Sequence, residues 1–304
     1  MRILIVGAGA TGGYFGARLA QAGRDVTFLV RERRKQQLEQ QGLQVQSPLG
    51  DFTLTPNTRL ASELNSAYDL IILTVKSFAL EQALEDIAPA VGEQTLIMPI
   101  LNGMRHIDTL RQRFGAEKVI GGLCKIHATL GPQGEIVQMS PLHQIFYGEL
   151  SGENGERLQA LDEAFSGCGV DNILTETILS DLWEKWLLLS TLGAVTCLSR
   201  GNTQQILQSP GGETLLQGLF SEILAVMRGD GYQERPAVTA KIYETLNNPA
   251  TPMTSSMYRD LNQGNAVEAD HIIGDLLARA TRNGVSTPLL NAVYVNLCVY
   301  QHAR

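Results

Sequence analysis

Six residues near the start of the chain, Gly7-Ala8-Gly9-Ala10-Thr11-Gly12, have the types and spacing of a turn that cradles phosphate. Glycine at the first position permits a tight turn. At the second it lets a pyrophosphate approach the backbone, and at the third it lets helix and strand pack closely. The turn follows the apolar run Arg2-Ile3-Leu4-Ile5-Val6 and opens an amphipathic stretch, so a helix N-terminus would offer its unpaired N–H groups and positive partial charge to the phosphates. A glycine triplet alone is also an ordinary turn; the βαβ context over residues 1–31 is what turns it into a dinucleotide signature.

The second strand of that unit ends Phe28-Leu29-Val30-Arg31. In NAD-binding units an Asp or Glu there receives the ribose 2′-hydroxyl. Arg31 instead suits a 2′-phosphate through charge-assisted, bidentate hydrogen bonds, and Glu32 is the only nearby carboxylate. Arg33 and Arg34 extend the basic run, which without a ligand would be a solvated helix start opposed by the helix dipole. The expected cofactor is therefore NADP(H), held by Gly7, Ala8, Gly9, Ala10, Thr11, Gly12 and Arg31.

A second constellation lies far along the chain, in Trp183-Glu184-Lys185-Trp186-Leu187-Leu188-Leu189. Helical spacing puts Lys185 on the face of Leu188, Leu189 and Leu192, which should point inward. A lysine there either snorkels to water or is kept for its proton, because burial lowers its pKa and makes it an acid or base near neutrality. A surface i,i+4 pair with Asp181 is the competing reading.

The elements that must position these groups alternate in the first half and become helical in the second. Strands are predicted at Arg2–Val6, Asp25–Val30, Leu70–Val75, Thr95–Pro99 and Val119–Gly122. Helices are predicted between them at Tyr14–Gln21, Arg33–Gln40, Leu80–Ala88 and His106–Phe114. Two hairpins decorate this core, one pairing 43–46 with 52–54 and one turning at Gly131-Pro132-Gln133-Gly134. From about residue 175 the pattern is helical, at Ile178–Leu192, Leu215–Met227, Ala237–Leu246, Ala269–Thr281 and Leu289–Tyr300, with prolines between the segments. The expected fold is an α/β Rossmann-type dinucleotide-binding domain over 1–170 followed by an all-α domain over 171–304, with a ligand cleft between them.

Composition narrows the functions open to such a chain. Its 304 residues, 44% hydrophobic and 18% charged, suffice for real cores, and a net charge of −7 argues against a general nucleic-acid binder. Four cysteines lie far apart, and Cys124 with His127 lacks a second ligand pair, so neither disulfides nor a metal is expected. The longest apolar run, Trp186 to Leu198, is too short and too interrupted to span a bilayer. No charged leader or cleavage site precedes the first strand, so a cytoplasmic protein without a signal peptide is expected. The partners expected are a small-molecule substrate and, as an option, a second copy of the chain in a homodimer; no nucleic acid and no membrane.

Gly7 to Gly16, Thr74-Val75-Lys76, Leu101-Asn102-Gly103, Trp183-Glu184-Lys185, and Ser255-Ser256-Met257 followed by Glu268 occur in the order and approximate spacing of one family. The chain resembles the ketopantoate reductases, or 2-dehydropantoate 2-reductases. The resemblance implies that NADPH delivers hydride to the ketone of 2-dehydropantoate, giving pantoate, a precursor in pantothenate biosynthesis. It implies Lys185 as proton donor, Asn102 at the nicotinamide ribose and the substrate, Lys76 and Glu268 at the cofactor, and Ser256 on the substrate. Three of these have a plainer reading: Asn102-Gly103 a turn, Glu268 a helix-start carboxylate, Ser256 a cap.

The match breaks at the substrate. Where the family places asparagines four and eight residues after the lysine, this chain has Leu189 and Gly193, and another family asparagine is Met253. Their loss removes hydrogen bonds worth about 0.5–1.5 kcal/mol each. A less polar 2-oxo acid or ketone is therefore a second substrate reading. A non-catalytic NADP-binding sensor is a third possibility, and a hydroxyacyl-CoA or opine type of dehydrogenase would need a His–carboxylate pair that is not evident.

Overall fold

The computed structural model describes residues 1–304. The chain divides into two compact units, Met1–Leu101 with His106–Leu179, and Asn102–Arg105 with Ser180–Arg304. Its first part runs β1 (Arg2–Val6), α1 (Ala10–Gln21), β2 (Asp25–Leu29), α2 (Glu32–Gln41), β3 (Leu43–Gln46), β4 (Phe52–Leu54), β5 (Asn57–Arg59), β6 (Tyr68–Leu73), α3 (Leu80–Ile87), β7 (Val91–Pro99), α4 (Arg105–Phe114), β8 (Gly121–Leu130), β9 (Ile136–Gly148), α5 (Glu156–Phe165) and β10 (Asp171–Leu174).

The central sheet has the order β5-β2-β1-β6-β7, all parallel. Its middle strands are buried on both faces, which explains their unbroken apolar runs. A second sheet, β10-β9-β3-β4 with β8 on β9, holds both expected hairpins in one surface. Helix α1 touches β1 and β2 of the first sheet and β3, β8 and β9 of the second. Its Tyr14 and Phe15 thus join the Ile3, Ile5 and Phe28 side of the core to Ile145, Tyr147 and Phe165.

One expected strand needs correction. The run Val119–Gly122 is not a strand of the parallel sheet: only Val119 bridges Ile97, and the chain then leaves as β8. Gly121 and Gly122 allow this exit, since a Cβ would lie 2.5 Å from Ile178 in one and 2.5 Å from Met98 in the other. The fifth parallel strand is β5, three polar residues beside β2. Strand β10 pairs with β9 inside the first unit, which runs to Leu179.

The second unit is helical: α6 (Ile178–Ser199), α7 (Thr203–Leu207), α8 (Gly212–Gly229), α9 (Pro236–Leu246), α10 (Ser256–Asn262), α11 (Asp275–Asn283) and α12 (Pro288–His302). The segment expected as one helix over Ala269–Thr281 opens with a π-turn, Asp270–Gly274, before α11 begins. Inside that turn the indole N–H of Trp186 donates to the Ile272 carbonyl at 3.1 Å. No helix of the chain is long and apolar enough to cross a membrane.

Candidate active site

The turn from β1 into α1 shows three glycines doing three different things. Gly7 has φ +99°, a left-handed geometry that residues with a side chain rarely adopt. Gly9 is the N-cap of α1 with φ −82°, and a Cβ there would meet nothing within 4 Å. At Gly12 a Cβ would stand 2.0 Å from Thr74 Oγ1 and 2.3 Å from the Gly7 carbonyl oxygen. Ala8 is buried, and Ala10 and Thr11 are half-buried at the helix start. Open space above Gly9, beside the first N–H groups of a twelve-residue helix, is a cradle that fits a dinucleotide phosphate.

Thr74 is a residue that reading the turn alone did not single out. Its hydroxyl, one residue past β6, donates to the Val6 and Gly7 carbonyls at 2.9 and 3.0 Å and so ties the end of β6 to the turn. The strand order reverses between β1 and β6, which makes their carboxyl ends a topological switch point, the usual ligand crevice of open parallel sheets. Three neighbouring strands deliver the candidate residues there: β2 leads to Arg31, β1 to the glycine turn, and β6 to Lys76.

Arg31 is the exposed N-cap residue of α2, and its side chain caps nothing. Arg33 is also exposed. Arg34 differs: its Nη1 donates to Gln37 at 2.7 Å, whereas Nε and Nη2 are buried without a partner, and that burial lowers its pKa. Arg31 and Arg33 are thus accessible cations at this strand end, as is Arg59 on the neighbouring β5. Lys76 is exposed and precedes a short 3₁₀ turn at Ser77–Ala79.

In the second unit Lys185 is half-buried on α6, together with Leu188 and Leu189, while Leu192 is buried. The residues around it lock the rotation of that helix. Glu184, 6% exposed, accepts from Tyr232 at 2.9 Å and from Arg235 Nε at 2.6 Å. Burial and then this carboxylate push the Tyr232 phenol up to about 12, and the hydrogen bonds to Glu184 raise the Arg235 guanidinium. Arg235 also engages Asp181. Trp183 stacks on Trp186, and the Arg279 guanidinium lies 5.4 Å from both rings.

The other residues expected on the substrate side fall in this same unit. Asn102, half-buried, follows β7 by three residues but clusters with the helices. Glu268 is 7% exposed. Ser256 is the first residue of α10, and the cap is its neighbour Ser255, whose Oγ accepts from Tyr258 N at 2.9 Å and meets Thr196 Oγ1 at 3.1 Å. The Met253 backbone is pinned to Thr203 by two hydrogen bonds. A Cβ on Gly193 would sit 2.7 Å from the Met257 methyl, so a buried thioether closes over the position that loses its asparagine.

Reducing a ketone consumes a hydride and a proton, and a dinucleotide cradle with a lysine on a firmly anchored helix places the chain among dinucleotide-dependent oxidoreductases. The model of the family described as ketopantoate reductase PanE/ApbA matches residues 3–152, and its C-terminal model matches 177–301. The chain belongs to the ketopantoate reductase family, enzymes of keto/hydroxy acid pairs. It is 38% identical over 301 residues to "Uncharacterized oxidoreductase YkpB" of Bacillus subtilis strain 168, covering 99% of each. It is 30% identical to the 2-dehydropantoate 2-reductase of Geobacter metallireducens GS-15, with full coverage of both chains and a TM-score of 0.87. D-Mandelate dehydrogenase with NADH and anilino(oxo)acetate shares the fold, with 24% identity, 100% and 99% coverage and a TM-score of 0.88.

Proposed function

We propose that this chain is an NADPH-dependent reductase of a 2-oxo acid, with Lys185 as the proton donor. The observation that carries the reading is the anchoring of α6 on both sides of Lys185, by Glu184 with Arg235 and by Trp186 with Ile272. Bound NADPH supplies a hydride to the carbonyl carbon. As the C=O π bond breaks and negative charge builds on oxygen, the Lys185 ammonium stabilises that charge and transfers its proton, leaving a secondary alcohol. In this reading Gly7, Ala8, Gly9, Ala10, Thr11 and Gly12 hold the pyrophosphate, and Lys76 and Glu268 contact the cofactor. Asn102 bonds the nicotinamide ribose and the substrate, and Ser256 bonds the substrate.

The choice of NADPH rests on Arg31, an exposed guanidinium at the strand end where an NAD site would carry a carboxylate. A charge-assisted bond to a 2′-phosphate is worth about 1.5–3 kcal/mol. Arg31→Ala should therefore lower kcat/KM for NADPH about 10–100-fold and leave that for NADH nearly unchanged. Equal losses with both cofactors would move the selectivity elsewhere.

For the substrate, Leu189, Met253 and the closure of Met257 over Gly193 favour a side chain less polar than that of 2-dehydropantoate, the substrate in the names of family relatives. The same fold in D-mandelate dehydrogenase is recorded with anilino(oxo)acetate, which carries an aryl group. NADPH consumption with 2-dehydropantoate and with branched aliphatic and aryl 2-oxo acids tests this. An advantage of about tenfold or more in kcat/KM is expected for the less polar compounds. Preference for 2-dehydropantoate would restore the family's reference substrate, and no consumption with any 2-oxo acid would overturn the reductase reading.

A further inference from the structure

His271 has no place in the roles assigned above, yet it is 7% exposed and sits inside the π-turn, a distortion that recurs at functional sites. Its ring is hydrogen-bonded to the main chain of Asn102 in the sense that favours the protonated ring, so a ring N–H donates to the Asn102 carbonyl. Gly103, at φ +84°, lies against the same residue: a Cβ there would be 3.1 Å from the His271 carbonyl oxygen, 3.2 Å from Cδ2 and 3.5 Å from Nε2. The next residue of the turn, Ile272, takes the indole N–H of Trp186, the neighbour of Lys185 on α6. One distorted turn therefore grips both the Asn102-Gly103 loop and the helix of the lysine.

We propose that His271 is a positioning residue that holds the Asn102-Gly103 turn, and with it the Asn102 amide, in register with Lys185. The inference rests on the reading of Asn102 as a cofactor and substrate contact. Glycine visits both signs of φ at little cost, so the peptide beside Gly103 is free to flip unless something holds it. The groups facing the ring are the carboxylates of Glu268 and Asp275, the guanidinium of Arg105 and the Asn102 carbonyl. Burial outweighs the two carboxylates and pushes the imidazole below its ordinary range. An uncharged imidazole has a single N–H, and the Asn102 carbonyl is the acceptor that would take it.

His271→Phe keeps a ring and deletes the donor, whereas His271→Gln keeps a donor. Each is compared with wild type and with Asn102→Ala in melting temperature, NADPH affinity, KM and kcat for the best 2-oxo acid. His271→Phe should raise KM for NADPH and lower kcat about tenfold or more, as Asn102→Ala does, because misplacement of about 1 Å is enough for such losses. His271→Gln should recover most of the activity. Normal turnover by His271→Phe beside an impaired Asn102→Ala overturns the inference. So does an equal fall in kcat in both histidine variants with KM unchanged, the mark of lost folded protein. A silent Asn102→Ala would instead overturn the role given to Asn102, and the two failures are distinct.

Discussion

Lys185→Ala should lower kcat for 2-oxo acid reduction by about 10²–10⁴-fold, the usual worth of a positioned acid, while NADPH affinity stays within about twofold. Contacts that orient α6 are made by the neighbours of the lysine and survive its truncation. Glu184 remains bonded to Tyr232 and Arg235, Trp186 to Ile272, and Arg279 over the tryptophan pair. Asp181, the surface partner that spacing alone offered the lysine, is engaged by Arg235. Single-turnover rates with preloaded NADPH separate chemistry from binding. Full turnover would end the proton-donor reading and leave the sensor alternative standing; a loss confined to NADPH affinity would make Lys185 a cofactor residue.

What could be read without coordinates was whatever a backbone conformation or a packing distance forces into residue type. Gly7 has to be glycine at φ +99°, and Gly12 has to be glycine because Thr74 and the Gly7 carbonyl occupy the place of a Cβ. The strands β1, β2 and β6 announced themselves by apolar runs that only a doubly covered sheet would bury. The strand β5 did not, since Asn57-Thr58-Arg59 has no hydrophobic signature and is recruited by the edge of β2. The π-turn was equally silent, because its apolar spacing matches that of a regular helix and the Trp186 indole that bonds it lies far away in sequence.

The same limit applies to the candidate site. Arg31 and the glycine turn are local features of one βαβ unit, so their position followed from strand order. Asn102, Gly103 and His271 depend on a contact between distant segments, and nothing in Leu101-Asn102-Gly103 says that residues 102–105 will cluster with the helices. The emptier polar face of α6 was legible as Leu189 and Gly193, but the group that fills the vacated place, Met257, comes from α10. Residue types reveal what a site has lost; only packing shows what replaced it.

The glycines of the phosphate turn should separate in experiment. Gly9 has φ −82°, a conformation alanine adopts freely, and its Cβ would touch nothing. Gly9→Ala should therefore leave the melting temperature within about 1–2 °C of wild type. The methyl would nevertheless project into the space the pyrophosphate needs, an overlap of about 1–3 kcal/mol that weakens NADPH roughly 10–100-fold. Gly12→Ala is the opposite case, since its methyl meets Thr74 Oγ1 and the Gly7 carbonyl, and that hydroxyl is itself bonded to Val6 and Gly7. Stability should fall with affinity, by about 1–3 kcal/mol or more and several degrees in melting temperature. Adding Thr74→Ala should restore little, because the carbonyl at 2.3 Å is main chain and remains. Calorimetric melts with and without NADPH measure both quantities. Wild-type affinity in Gly9→Ala would remove the cradle reading, and an unchanged melt in Gly12→Ala would contradict the close packing of α1 on the end of β6.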